Sequence, residues 1–417
     1  TPSLPDEPLG MMANACSRLR LAPLRQFGPL RRALVTAASD EFALNAHPSI
    51  ARAKPVCVAI LAGFGENRKL DEWNAAHVAK TPTIDALRAV AGRYRTIAAH
   101  GPAVGLPSTD DMGNSEVGHN ALGAGKVFAQ GAKLVDLNLE SGQMYRDPGW
   151  AYIAPAFARN TVHFIGLLSS GGVHSRVNQL EAMLERAAAD GAKRLRVHVL
   201  TDGRDVPDGS SSEYVAALEA FLAQLSSTHG CDAKIASGGG RMFVTMDRYE
   251  ADWGIVERGW RAHVLGEAPN KFASASAAVA ELKQRNGGTS DQHLEPFVVV
   301  DESGPVGPVL DGDAVVLFNF RADRVIQLSK ALEGGPEFGA FDRVRVPRDL
   351  RFVGLMQYDG DLQLPEHYLV QPPAITPPPS LSHHHHTHLI PPSPSLLHIP
   401  FQPPPAGAAA RHHAHLG

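Results

Sequence analysis

A serine, a histidine, an aspartate and a set of arginines are the residues of this 417-residue chain whose placement points to chemistry. Ser115 stands in the stretch from Asp110 to Gln130, DDMGNSEVGHNALGAGKVFAQ, between Gly113, Asn114 and Gly118, with His119 and Asn120 behind it. Small residues let a backbone approach an anion closely, and a serine held there is a candidate nucleophile toward a phosphoryl group. The same composition also describes an ordinary turn. The arginines follow a pattern of their own, since a short polar turn comes after each of four apolar runs. These turns are SSGGVHSR with His174 and Arg176, TDGRD with Arg204 and Asp205, SGGGRMFVTMDR with Arg241 and Arg248, and RADR with Arg321 and Arg324. A guanidinium binds phosphate or carboxylate through two parallel hydrogen bonds, so several converging on one crevice suit a small, multiply charged acid. Taken singly, each arginine also reads as a solvated residue paired with a neighbouring carboxylate.

The elements that must position these turns are legible as alternating patterns. TVHFIGLLS is an apolar strand from Thr161 to Leu168, and NQLEAMLERAAADG follows with Leu180, Met183, Leu184, Ala187 and Ala188 at helical spacing and Gly191 as terminator. RLRVHVLTDG alternates Leu195, Val197 and Val199; EYVAALEAFLAQL places Val215, Leu218, Leu222 and Leu225 on one helical face; AKIASGGG and DAVVLFNF are further strands. Strands alternating with helices of this length predict βαβ units and a mainly parallel sheet. In such a sheet the four turns lie on one edge, which collects up to six arginines, His174 and Asp205. Earlier in the chain, Val56 to Leu61 reads as a buried strand ending in a glycine turn, and TPTIDALR (Thr81 to Arg88) as a short amphipathic helix.

Composition sets the outer limits. A chain of this length with 44% hydrophobic residues can bury a core spread over two or three domains, and a formal net charge of −4 gives no reason to expect nucleic acid. Three widely spaced cysteines, Cys16, Cys57 and Cys231, indicate neither a disulfide framework nor a thiolate zinc site, so the chain reads as intracellular. No apolar run approaches the roughly 18 residues that cross a bilayer, so a soluble protein is expected. From Met11 to Ser39 there are five arginines and no acidic residue, the composition of a transit peptide or of an unstructured leader. Ala374 to Gly417 has no Asp, Glu or Lys, is rich in proline and carries HHHHTH and HHAH; such sequence is expected to stay disordered.

MGNSEVGHNALGAG resembles the serine motif of the cofactor-independent phosphoglycerate mutases, and GGVHSR, TDGRDV, GGGRMFVTMDRYE and NFRADR resemble the segments that hold phosphoglycerate in that family. The likeness runs from about Val56 to Pro373 and is closest to plant-type members. It implies an α/β fold: an alkaline phosphatase-like domain, incomplete here, with an inserted α/β phosphotransferase domain that binds substrate. The domain division it implies is a leader at 1–54, the first part of the phosphatase-like domain at 55–133, the inserted domain at 134–345, the start of the return at 346–373 and the tail at 374–417. Carried over by motif, Ser115 is the phosphorylated nucleophile and a metal ligand. His174, Arg204, Asp205, Arg241, Arg248, Arg321 and Arg324 bind substrate, and Asp205 accepts a proton from a glycerate hydroxyl, its pKa set by neighbouring arginines.

The resemblance further implies that two divalent metal ions, manganese with magnesium or cobalt as alternatives, drive interconversion of 3-phosphoglycerate and 2-phosphoglycerate in glycolysis without 2,3-bisphosphoglycerate. It implies a monomer in the cytoplasm, with a plastid or mitochondrion as the alternative if the leader is a transit peptide. Two departures stand against full activity. Ala62 occupies the position of a metal-binding aspartate, and the family's later metal ligands are not found, which leaves Ser115 alone of that set. The competing readings are a non-catalytic, truncated phosphoglycerate-binding chain and another metal-dependent hydrolase of the same superfamily; a nucleotide-binding reading of SGGGR is weak.

Overall fold

The structure is a computed structural model that describes residues 57–61, 63–67, 69–285 and 288–372. The leader, the proline- and histidine-rich tail and Ala62 lie outside the described residues, and so do the expectations placed on them. In the first stretch, 57–67, the expected strand does not form. Residues 57–61 carry no strand pairing, and Val58, Ile60 and Leu61 are exposed. A strand exists only where a neighbour takes its backbone hydrogen bonds, and among the described residues none does so here. The glycine turn is present, with Gly63 at φ +82° and the Phe64 amide bonded to the Leu61 carbonyl.

From residue 69 onward the chain begins with short helices, α1 (Ala75–Val78) and α2 (Pro82–Arg88), followed by α3 (Ser115–Ala124), α4 (Gly131–Glu140) and α5 (Pro148–Ile153). Helix α2 forms where TPTIDALR predicts one, with proline in its first turn, but none of its residues is buried. The alternating region then runs β1 (Thr161–Leu168), α6 (Val177–Ala189), β2 (Arg194–Thr201), α7 (Ser211–His229), β3 (Asp232–Gly240), α8 (Trp253–Gly259), β4 (Asn270–Phe272), α9 (Ala275–Gln284), β5 (Phe297–Asp301), β6 (Gly304–Pro305), β7 (Ala314–Leu317), α10 (Ile326–Glu333) and β8 (Arg351–Gly354). The sheet order is β4-β5-β3-β2-β1-β7-β8, with β6 on β5. Strands β3, β2, β1, β7 and β8 are parallel neighbours, whereas β5 is antiparallel to β3 and parallel to β4.

The parallel block is buried on both faces, which is why β1 reads as a near-continuous apolar run, while β2 alternates apolar residues with Arg196 and His198, which are buried as well. One face of β1 presents Val162, Phe164 and Leu168 to a core completed by α4, α5, α6, α7 and α9. The opposite face presents Ile165, with Val315 and Leu317 of β7, to α8, Trp260, Val264 and α10. The helix-period residues expected on α6 and α7 are all buried. Helix α6 ends through Gly191 at φ +101°, with the Ala192 amide returning to the Ala187 carbonyl. The segment read from sequence as a return crossing gives β8 to this same sheet, and Leu369 and Val370 join its core. Among the described residues no helix is long and apolar enough to cross a membrane.

Candidate functional site

Four turns leave the sheet from β1, β2, β3 and β7, which are parallel neighbours, so their C-terminal ends share one edge. The side chains they carry meet there, and what they meet on is an aspartate. Asp323 lies 3.0 Å from Arg321 Nε, 3.1 Å from Arg248 Nε and 3.8 Å from His174 Nδ1. These are ion-pair distances without hydrogen-bond alignment: the three nitrogens and Asp323 Oδ1 are buried atoms with no hydrogen-bond partner. Arg241, 1% exposed, donates from Nη1 at 2.7 Å both to Asp202 and to Asp205, and its Nε is likewise unpartnered. Arg324 donates to the Met246 carbonyl at 2.8 Å, and its pKa is pulled down to about 10 by desolvation and by Arg241. Arg204 stands exposed beside them.

The serine sits within reach of this cluster. Ser115 is the first residue of α3, not part of a loop, and Asn114 caps the helix by accepting from the Glu116 and Val117 amides. Gly113 is required for a reason internal to the fold, because a Cβ there would lie 1.8 Å from the Ala99 carbonyl oxygen. Arg321 Nη2 donates to Ser115 Oγ at 3.2 Å, and Arg321 Nε lies 3.5 Å from Glu116. Desolvation outweighs that arginine and pushes the Glu116 carboxyl up to about 7.

Of the eight residues marked from sequence, Ser115, His174, Arg248 and Arg321 are joined through Arg321 and Asp323. Arg241 and Asp205 form a second pair on the same edge, Arg324 is bonded to the Met246 carbonyl, and Arg204 stands exposed on its turn. Arg176 does not join. It donates to Asp111, which also takes the Ser108 amide and hydroxyl, so this arginine ties its turn to the segment before the serine. The expectation that arginines set the pKa of Asp205 needs correction. Burial is the larger effect and raises it, with Arg241 opposing. The pKa of His174 is held well below its usual range, first by burial and then by Arg241, Arg321, Arg324 and Arg248, which favours the uncharged ring. The SGGGR glycines serve packing: a Cβ on Gly238 would lie 2.6 Å from the Phe297 ring and from the Val199 carbonyl oxygen, and one on Gly240 would lie 2.4 Å from the Gln292 backbone.

Sequence reasoning missed the carboxylates. Asp202, fully buried, accepts from the Ser169 hydroxyl, from the Arg204 and Asp205 amides and from Arg241, and so fixes the TDGRD turn. Asp323 and Asp202 stand inside the same motifs as the arginines, and their signal was the acid flanked by arginine in RADR and the first acid of TDGRD. Both readings of the arginines hold in part, since Arg241, Arg248 and Arg321 are paired with carboxylates, yet they converge, and Arg241 and Arg321 do so buried. Among the described residues no three His, Cys, Asp or Glu side chains are grouped to hold a metal ion, and a guanidinium is bonded to Ser115 Oγ. The described residues therefore do not fit the two-metal site that the resemblance implies.

Comparison with known proteins places this architecture. The chain is 59% identical over 341 residues to the 2,3-bisphosphoglycerate-independent phosphoglycerate mutase of Mesembryanthemum crystallinum, covering 81% of this chain and 60% of that one. It is 55% identical over 336 residues to the enzyme of the same name from Trypanosoma brucei brucei, covering 80% of this chain and 60% of that one. The chain thus spans about 60% of the length of the curated relatives it matches. Among solved structures, Leishmania mexicana phosphoglycerate mutase, crystallised at low cobalt concentration, superposes with a TM-score of 0.69 at 55% identity, covering 74% of this chain and 56% of that one. The family described as BPG-independent PGAM N-terminus (iPGM_N) matches residues 135–360, which include every strand of the sheet and all four arginine-bearing turns. On that match this chain belongs to the BPG-independent phosphoglycerate mutase N-terminal family.

Proposed function

We propose that the edge formed by His174, Asp205, Arg241, Arg248, Arg321 and Arg324 holds phosphoglycerate beside Ser115, as part of an isomerase that interconverts 3-phosphoglycerate and 2-phosphoglycerate through a phosphoserine. One observation carries the reading: Arg321, tied to Asp323 at the centre of the cluster, also donates to Ser115 Oγ. A guanidinium in that place lowers the cost of negative charge on the serine oxygen or on a phosphoryl group arriving there. Arg324, which donates only to a backbone carbonyl among the described residues, and Arg204, exposed beside it, are the forks available to a carboxylate or phosphate. His174, kept neutral, offers a hydrogen bond without adding charge. Asp205, its pKa raised by burial, can accept a proton from a glycerate hydroxyl more readily than an ordinary surface carboxylate.

Manganese is the metal proposed for the complete reaction on the strength of the family resemblance alone. The role assigned to the residues described here is to bind and orient the acid. Titration calorimetry of the purified chain with 3-phosphoglycerate tests this, with the Arg241→Ala/Arg321→Ala double variant as control. We expect heat from the unmodified chain and a loss of at least about tenfold in affinity in the variant. Equal heats would sink the assignment.

A second reading is favoured by the lack of grouped metal ligands among the described residues: the chain holds phosphoglycerate without turning it over. An enolase-coupled assay with manganese separates the two. Turnover that Ser115→Ala abolishes supports transfer, and binding without turnover supports the second reading.

A further inference from the structure

We infer that Thr245 is a positioning residue for the arginine crevice, held in an unfavourable backbone conformation by a buried chain of histidines that crosses the sheet. Thr245 is 1% exposed and has φ +69°, a left-handed conformation that is a true outlier for a β-branched residue. The Met246 amide bonds back to the Val244 carbonyl at 2.8 Å, so Thr245 is the centre of a γ-turn of positive φ, the rare and strained form. That turn lies between Arg241 and Arg248, and the carbonyl it orients, Met246 O, is the one that receives Arg324. One tight turn therefore sets the relation among three arginines that come from two separate strands.

Strain of this kind persists only where the surroundings over-determine it. The Thr245 amide donates to the Ile255 carbonyl at 2.8 Å, and its hydroxyl is 2.9 Å from His263 Nε2. His263 Nδ1 is 2.7 Å from Ser237 Oγ on β3, which is 2.7 Å from His198 Nδ1 on β2. His198 Nε2 is 3.0 Å from His163 Nδ1 on β1, and His163 Nε2 is 3.2 Å from Asp313, just before β7. All three histidines are fully buried, and both nitrogens of every ring are engaged. The chain thus runs along four parallel neighbours of the sheet and ends on the one hydroxyl at the centre of the strained turn. None of these groups touches the arginine crevice, so their effect on it passes through the placement of Thr245.

The inference rests on the phosphoglycerate reading only for what the crevice binds; the positioning itself is tested without ligand. Hydrogen exchange on the unmodified chain should show amides 243–248 protected to the same degree as those of β3. A turn exchanging orders of magnitude faster than β3 would overturn the inference without any variant. Thr245→Val keeps the side-chain shape and removes the hydroxyl. We expect exchange of 243–248 and 321–324 to rise by about tenfold or more while β1 and β2 are unchanged. Thr245→Ser, which restores the hydroxyl, should return the pattern of the unmodified chain; equal exchange in all three proteins would refute the assignment. In parallel, affinity for 3-phosphoglycerate should fall about tenfold in Thr245→Val and recover in Thr245→Ser. No binding by the unmodified chain would sink the phosphoglycerate reading while exchange still decides the role of Thr245.

Discussion

Asp323 is the residue on which three turns depend, and it reverses the usual account of an arginine site. Arg248, Arg321 and His174 come from turns after β3, β7 and β1, and each finds the same carboxylate. Asp323→Asn keeps the shape and removes the charge, which leaves two guanidinium groups facing one another beside a neutral imidazole. The expected cost is about 2 kcal/mol of unfolding free energy, below the value for a fully buried pair because the carboxylate is 17% exposed. Inorganic phosphate should raise the melting midpoint of the variant more than that of the unmodified chain, since an added anion replaces the missing one. Thermal unfolding of both proteins across a phosphate series checks this. At this scale the sequence was half legible. Guanidinium groups announce anion chemistry by their type, so the arginines were found. The neutralising acids Asp202 and Asp323 were not, because an acid beside an arginine in sequence does not reveal whether its side chain turns inward.

At the scale of elements, the strands and helices from β1 to β3 could be read because their burial is periodic and local. The antiparallel placement of β5 could not, since strand direction depends on what the intervening chain does in space. The left-handed turn at Thr245 was hidden for a related reason: a threonine carries no sign of positive φ. Two predictions belong here. Gly240→Ala would bring a methyl to within 2.4 Å of the Gln292 backbone, which neither side can yield cheaply. A loss of about 2–4 kcal/mol is expected in urea unfolding, against a smaller loss of about 1–2 kcal/mol for Gly191→Asn, where nothing is displaced but the φ of +101° strains any side chain.

The second concerns the histidines that join the strands. Burial lowers the pKa values of His163 and His198, opposed at His163 by Asp313 and reinforced at His198 by His263 and His163; Arg196 lowers both. Burial lowers His263 to about 3. Unfolded, an imidazole takes a proton near pH 6.5. Between the two values the unfolded chain binds more protons, so stability is intact above about 6.5 and declines as pH falls toward 3. His263 alone should cost about 2 kcal/mol at pH 5. Urea midpoints at pH 7.5 and pH 5 measure the decline, which His263→Gln should reduce.

For the whole molecule, the instructive segment is 346–372. Family likeness led to the expectation that it leaves toward another domain, yet β8 pairs along β7 and Leu369 and Val370 lie in the main core. A fragment ending at Arg345 would strip β7 of a neighbour and uncover apolar core. The expected outcome is that 134–372 melts cooperatively, whereas 134–345 melts at least about 10 °C lower or not cooperatively. Equal melting midpoints would count against the packing described for β8. The reverse failure, at residues 57–61, has the same root. Strand-like sequence becomes a strand only with partners, and sequence supplies the partner's identity at no single position.

The pairing of Asp202, Asp205 and Asp323 with the arginines also bears on how a charged molecule finds the crevice. Bare clusters of cations draw anions from a distance, and their association rates fall steeply as salt is added. Here Asp202, Asp205 and Asp323 offset the charge of Arg241, Arg248 and Arg321, so the long-range field at the mouth is weaker than the number of arginines suggests, and Arg204 and Arg324 are left as the forks an incoming anion would meet first. Association should therefore be slow for an anion meeting so many arginines and nearly indifferent to ionic strength. Selectivity should arise in the exchange of partners after arrival. Stopped-flow association of 3-phosphoglycerate between 50 mM and 300 mM salt would show a change of less than about threefold, against roughly tenfold or more for an uncompensated site.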